Sequence, residues 1–279
     1  MPRRFFWGEN AIDTILKVSE NVNRQFLDIA NSKGYQGSQY EPWMALHSKF
    51  IKFEKFPRWQ NDSLFFSLQE MREFLALIKR LNPDKETIFS LENYPIRVSS
   101  LDSDQYNYFC DKIAEAKSNL ENRIPWIRPI YNGIVNKFVP IEGIYEKNEN
   151  DFGMSTIWLK GLIFYDKRQE RPLKLRIENL AHELAHQIII NYQLSDRLIV
   201  GDLNAPIYSA IRRTKRPAIM ALHGAAALSY MFLAASTDHA NDRSLIILHD
   251  LIETLKGLKE VKLTPVGQQL YLEMYELTK

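Results

Sequence analysis

The chain is poor in cysteine, in glycine and in net charge, and each shortage removes a class of protein. Among 279 residues there is one cysteine, Cys110, so no intramolecular disulfide can form. A secreted disulfide scaffold, a multi-cysteine zinc ribbon and an iron–sulfur centre are excluded, and a reducing, cytoplasmic setting is expected. Thirty-six bases against 34 acids leave a formal charge of +2. No global field calls for nucleic acid or for a membrane surface, and neither is expected as a partner. The 11 glycines form no linker, and no Gly/Ser- or Pro-rich stretch divides the chain. One domain over 1–279 is therefore the simpler organisation. The N-terminal MPRRFFWGENAIDT has no apolar run of signal-peptide length, so no secretory signal is expected. One stretch, Pro217 to Ser236, is long and apolar enough to cross a bilayer. Its His223 and its many alanines suit a tightly packed core helix better.

What is present is a core-forming composition, 45% hydrophobic and 12% aromatic, which argues against disorder. Apolar spacing predicts helices over 9–32 and 67–81, and a third running to about 122 from a cap at Ser103 or Asp104. The aromatic segment 41–60, with Trp43, Phe50, Phe53, Phe56 and Trp59, predicts a short helix and a turn, and 87–99 reads as extended. Between 131 and 166 the texture changes, and NGIVNKFVPI, STIWLKG and LIFYD predict two or three strands. Helix returns over 174–191, 217–235, 243–257 and 264–277. Helices, then a small antiparallel sheet, then helices define an α+β, predominantly helical fold. Residues 1–125 form its helical N-terminal part, expected from their aromatic content to bind a peptide. Residues 126–279 form the part that carries the chemistry.

That chemistry is announced at 181–187, Ala-His-Glu-Leu-Ala-His-Gln, a strict H-E-x-x-H. Positions i and i+4 share one helix face, so His182 and His186 can aim two imidazole nitrogens at one ion. Glu183 stands beside them, within reach of a metal-bound water or of the groups around it. With six histidines in the chain, a chance match is expected in roughly 1% of such sequences. The third ligand does not follow the common patterns. The metzincin extension requires Gly and His where this chain has Ile189 and Tyr192. No Glu occurs from 184 to 252, Glu253 falls on a separate amphipathic helix, and Asp196 and Asp202 lie in a polar loop. His223, the one titratable group between 217 and 236, is the better candidate; His47, His239 and His249 lie in more polar surroundings. Just before it runs Arg212-Arg213-Thr214-Lys215-Arg216. This is either a solvated basic turn or a clamp for a carboxylate, which the planar guanidinium fork matches. Arg216 precedes His223 by seven residues, about 10 Å along a helix. A dicarboxylate held at one end by the metal could reach an arginine with the other.

The stretch HELAHQ…APIYSAIRRTKRPAIMALHGAAALSYMF resembles the HExxH-type peptide-modification proteins of ribosomal natural-product clusters. Those proteins follow H-E-x-x-H with A-P-W-R-x-D-P-R-P and then L-H-G. Arg212 falls on the first arginine of that block, Arg216-Pro217 on the second R-P, and Leu222-His223-Gly224 on L-H-G. MSTIWLKGLIFYD is similar to the strand pair that precedes the motif. The resemblance covers about 150–235. It departs at Ile211, where the family has tryptophan, and at Thr214-Lys215, where it has D-P.

The resemblance implies an iron(II)- and α-ketoglutarate-dependent oxygenase that uses O2 to hydroxylate a side-chain β-carbon in a ribosomally made precursor peptide. It further implies His182, His186 and His223 as metal ligands, with Arg216 or Arg212 on the far carboxylate of α-ketoglutarate. Glu183 then acts beside the metal or on the substrate backbone. Three neutral imidazoles would leave the site one charge more positive than the usual two-His, one-carboxylate set, which favours a dianionic co-substrate. The residues alone leave two other readings open. One is a zinc metallopeptidase with Glu183 as general base and a strand near 155–165 holding the peptide. The other is a non-enzymatic, metal-bound peptide scaffold. Oligomeric state is not legible in the sequence.

Overall fold

A computed structural model describes residues 4–42, 44, 63–81, 89–91, 94–98, 102–143, 153–167, 171–236 and 242–279. The chain forms α1 (Ile12–Ser32), α2 (Leu68–Leu81), β1 (Phe89–Leu91), β2 (Tyr94–Val98), α3 (Ser103–Arg123) and α4 (Ile127–Ile134). There follow β3 (Lys137–Gly143), β4 (Gly153–Ser155), β5 (Leu162–Asp166) and α5 (Leu173–Ser195). The order ends with β6 (Pro206–Ser209), β7 (Thr214–Pro217), α6 (Ala218–Ser236), α7 (Asp242–Leu258) and α8 (Pro265–Glu276). The fold is α+β and predominantly helical. The aromatic stretch 45–60, Trp43, His47 and His239 lie outside the described residues.

The helices expected from periodicity form within a few residues of their expected ends. The cap of α3 is Asp102, not Ser103 or Asp104, and its carboxylate accepts from the Gln105 amide at 2.8 Å. Helix α4 runs into the start of the stretch 131–166, whose β-branched texture suggested strands only. Eight residues are enough to bury Ile127, Ile130, Tyr131 and Ile134 on one face.

The sheet has the order β1-β2-β3-β5-β4, and it is mixed where an antiparallel sheet is expected. After β3 the chain passes to the far edge and makes β4. A 3-10 turn at Ile157–Leu159 then returns it between the two as β5. Antiparallel to β4, β5 must run parallel to β3, in register from Lys137↔Leu162 to Ile141↔Asp166. The turn takes part of the STIWLKG segment read as strand. Gly161 closes it at φ 89°, where a Cβ would overlap the Asn136 side chain, so only glycine fits.

Helix α5 is the axis of the molecule. It packs against α1, α3, α6 and the edge strand β4, and Ile177, Leu180, Leu184, Ile188 and Ile189 are fully buried. Several of its polar residues are fastened to neighbours. Gln187 accepts from the Gly161 amide and donates to the Leu162 carbonyl, both at 2.8 Å, which locks the start of β5 to the helix. Arg176 pairs with Glu115 of α3 at 2.8 Å. The contacts of α1 and α3 with α5 join residues before 125 to the helix of the H-E-x-x-H motif.

Among the described residues α6 is the one helix long and apolar enough to cross a membrane. Here it lies between α5 and α7. Ala221, Ala225, Ala226 and Ala227 are buried, small enough for close helix packing. An N-terminal strap ties the helices together. The Glu273 carboxylate of α8 accepts from the Phe5 and Phe6 amides at 2.8 and 2.9 Å, and Tyr192 and Tyr230 donate to the Phe5 and Phe6 carbonyls.

Lys160, fully buried in the turn before β5, donates to Ser19 and Asn23 of α1 and lies over the Tyr40 ring. Burial pushes its ammonium down to about 7 from 10.5. Between those values the unfolded chain holds a proton that the folded chain does not, so stability rises with pH, by up to about 1.4 kcal/mol per unit. Below about 7 both states are charged and the gain is absent. Thermal melts from pH 7 to 9.5 are expected to show this slope in the wild type and a smaller one in Lys160→Met.

Candidate metal centre

His182 and His186 project from adjacent turns of α5, and His223 reaches them from α6. The three rings form one row. Ring centroids are 4.6 Å apart for His182 and His186, edge to face, and 5.5 Å apart for His186 and His223, nearly stacked. His182 Nε2 and His186 Nε2 are 2.9 Å apart. Two ligands at right angles on one ion, with bonds of about 2.1 Å, are separated by about 3.0 Å. The same distance suits an N–H···N hydrogen bond when no metal is bound.

His223 joins the row on its other side. Its Nδ1 lies 3.3 Å from His186 Nδ1, and its Nε2 lies 2.9 Å from Gln193 Oε1. The ring expected as a third ligand is thus in the cluster, yet it meets the nitrogen of His186 that points away from His182. Among the described residues, no three His, Cys, Asp or Glu side chains converge on one point. The three imidazoles are a donor set that fits a metal: His182 and His186 bring their Nε2 atoms together, and His223 joins them beside His186.

The rings at the two ends of the row meet further partners. His182 Nδ1 is 3.3 Å from Met231 Sδ of α6, a weak acceptor that orients the ring. Glu183, 2% exposed, is aimed by the edge strand. Ser155 Oγ donates to its Oε2 at 2.8 Å, and Oε1 is left facing His182 Nε2 at 3.9 Å. Gly153 makes room, since a Cβ there would lie 2.8 Å from both Cγ and Oε1 of Glu183.

The hairpin β6–β7 closes the other side, paired from Pro206↔Pro217 to Ser209↔Thr214. The segment between the two histidine-bearing helices is therefore largely the last turn of α5 and this hairpin. Arg213 at its tip adopts φ 51°, a left-handed conformation uncommon for a side chain with a Cβ. Arg216 sits on β7 opposite Ile207, and Arg212 in the turn. Both guanidiniums act on the histidines. His186 is pushed well below its ordinary value, first by burial, then by His182 and His223, then by Arg216 and Arg212. His223 is pushed down to about 4 by burial and by Arg216. Both imidazoles are neutral at pH 7, the state in which their nitrogens can bind a metal.

The other candidates stand apart. Asp196 and Asp202 are exposed and accept from the amides of Arg197 and Asn204. Glu253 pairs with Lys256 on α7, and the His249 side chain is 72% exposed. The sequence reading missed Gln193, Ser155 and Gly153. Gln193 carried a signal, for it follows His186 by seven residues and so shares its helix face. Ser155 and Gly153 carried none, because only the sheet brings them to Glu183. No family model matches the chain, and no curated protein matches it.

Loss of the Ser155 hydroxyl removes a hydrogen bond to a buried carboxylate, worth about 1.5–3 kcal/mol. Ser155→Ala is expected to lower the melting temperature by several degrees in calorimetry, and Gly153→Ala to do so as well by forcing Glu183 out of place.

Proposed function

We propose that this chain is an iron(II)- and α-ketoglutarate-dependent oxygenase that hydroxylates a side-chain β-carbon of a ribosomally made precursor peptide. The observation that carries the reading is the placement of Arg216 and Arg212 on the β6–β7 hairpin beside the histidines, where Arg216 acts on His186 and His223 and Arg212 on His186. Two fixed cations beside a metal cation repel it unless an anion lies between them. A dicarboxylate that chelates the metal with one end and pairs with an arginine at the other supplies that anion. His182, His186 and His223, the three imidazoles that α5 and α6 bring together, would hold the iron. Bound there, iron(II) supplies C–H hydroxylation, with O2 as oxidant and α-ketoglutarate oxidised to succinate and carbon dioxide. Glu183, fixed by Ser155, accepts a hydrogen bond from the substrate and holds the peptide next to the edge strand.

A second reading, a zinc peptidase, is favoured by one distance. Glu183 Oε1 at 3.9 Å from His182 Nε2 is close to where a general base would take a proton from a metal-bound water. Two measurements separate the readings. Anaerobic addition of iron(II) and α-ketoglutarate is expected to produce a visible charge-transfer band, and O2 then to yield succinate. Zinc-dependent peptide cleavage without either signal would reverse the ranking. Glu183→Gln is expected to leave that band in place, whereas it would abolish a peptidase. Arg216→Ala is expected to raise the KM for α-ketoglutarate about 10- to 100-fold, the worth of a charge-assisted pair.

A further inference from the structure

The three imidazoles come from two helices, His182 and His186 from α5 and His223 from α6. A site built in this way works only while its side chains keep their places to within about 0.5 Å. Ala221, Ala225, Ala226 and Ala227 of α6 are buried. Such small side chains let helices approach closely, but their ridges are shallow and resist sliding weakly. We infer that Phe5 and Phe6 are positioning residues for the metal centre: their carbonyls brace Tyr192 of α5 against Tyr230 of α6 and so fix the spacing of the three imidazoles.

Two consecutive carbonyls take the two hydroxyls, Phe5 that of Tyr192 and Phe6 that of Tyr230, the second at 2.6 Å. Both tyrosines are buried, so neither hydroxyl can trade its partner for bulk water without opening the fold. The brace is itself anchored. Glu273 of α8 accepts from both phenylalanine amides, and the Trp7 indole donates to the Glu273 carbonyl at 2.9 Å. The fully buried Phe6 ring meets the Tyr230 ring edge-on, with centroids 5.1 Å apart. The tie points stand next to the site. Tyr192 immediately precedes Gln193, whose Oε1 meets His223. Tyr230 immediately precedes Met231, whose Sδ meets His182, and it follows His223 by seven residues, two turns along the same face of α6. A slide of α6 along α5 carries His223 and the Tyr230 hydroxyl together, and the brace opposes it. By linkage, a metal that needs this spacing stabilises the brace in return. The inference rests on the metal reading of the three imidazoles but on neither iron nor oxygenation.

The test uses the full chain and removes single hydroxyls, Tyr192→Phe and Tyr230→Phe, which keep the rings in the core. Ile113→Val, a truncation in the buried face of α3 away from the brace, is the control of similar stability loss. In the metal-free, 15N-labelled protein, the imidazole signals of His182, His186 and His223 are expected to shift or broaden in both tyrosine variants and to stay in place in the control. In cobalt(II) titrations followed by visible absorption, each tyrosine variant is expected to bind about 5-fold more weakly, the worth of one hydrogen bond. The double variant should bind about as weakly as either single one, since one cut already frees the brace. Cobalt is also expected to slow hydrogen exchange at the Phe5 and Phe6 amides of the wild type. Unmoved imidazole signals, cobalt bound as tightly as by the control, losses that simply add, or amide exchange indifferent to bound cobalt would each overturn the inference. Shifted imidazole signals in a protein that takes up no cobalt would leave the brace standing and remove the oxygenase proposal.

Discussion

A helix covered by protein on most sides carries polar groups at least cost where they find partners inside the fold, and α5 meets that constraint at three polar side chains. Gln187 holds the start of β5, Arg176 reaches α3, and Glu183 takes the hydroxyl of the edge strand. Leaving such a group unmade costs about 1–3 kcal/mol, more when it is charged. The sheet, α3 and α6 are thus placed partly by the demands of one helix. The histidines are part of the same accounting: two rings on α5 and one on α6 satisfy one another in a row that ends on Gln193 and Met231.

The electrostatics of the site follow from its walls. One side is the edge strand, which supplies a hydroxyl and a glycine and carries a buried carboxylate against it. The opposite side is the β6–β7 hairpin with its guanidiniums. The imidazoles lie between, and His186 and His223 are held neutral by burial and by the arginines. Such a site offers uncharged nitrogen to a metal and positive charge to an anion.

The histidine pair itself was legible in the sequence. H-E-x-x-H names two ligands because i and i+4 share a face in any α-helix, whatever surrounds it. The helices were legible for the same local reason, and so was the burial of the Ala-rich segment that becomes α6. The arginines were legible as a cluster but not as a hairpin. TKRP lacks the alternation of a half-buried strand, and it pairs only because β6 returns beside it.

The spacing of residues along one helix is a property of the chain, and it determined His182, Glu183, His186 and, had it been followed two turns further, Gln193. Which nitrogen each ring presents depends on partners from other elements, and only the tertiary structure decided that. It set His223 of α6 against the far side of His186, Ser155 and Gly153 of β4 against Glu183, and β5 parallel to β3. The physical reason is range. Helix periodicity acts over a few residues, whereas a hydrogen bond between residues 28 or 37 positions apart exists only after packing has brought two elements together.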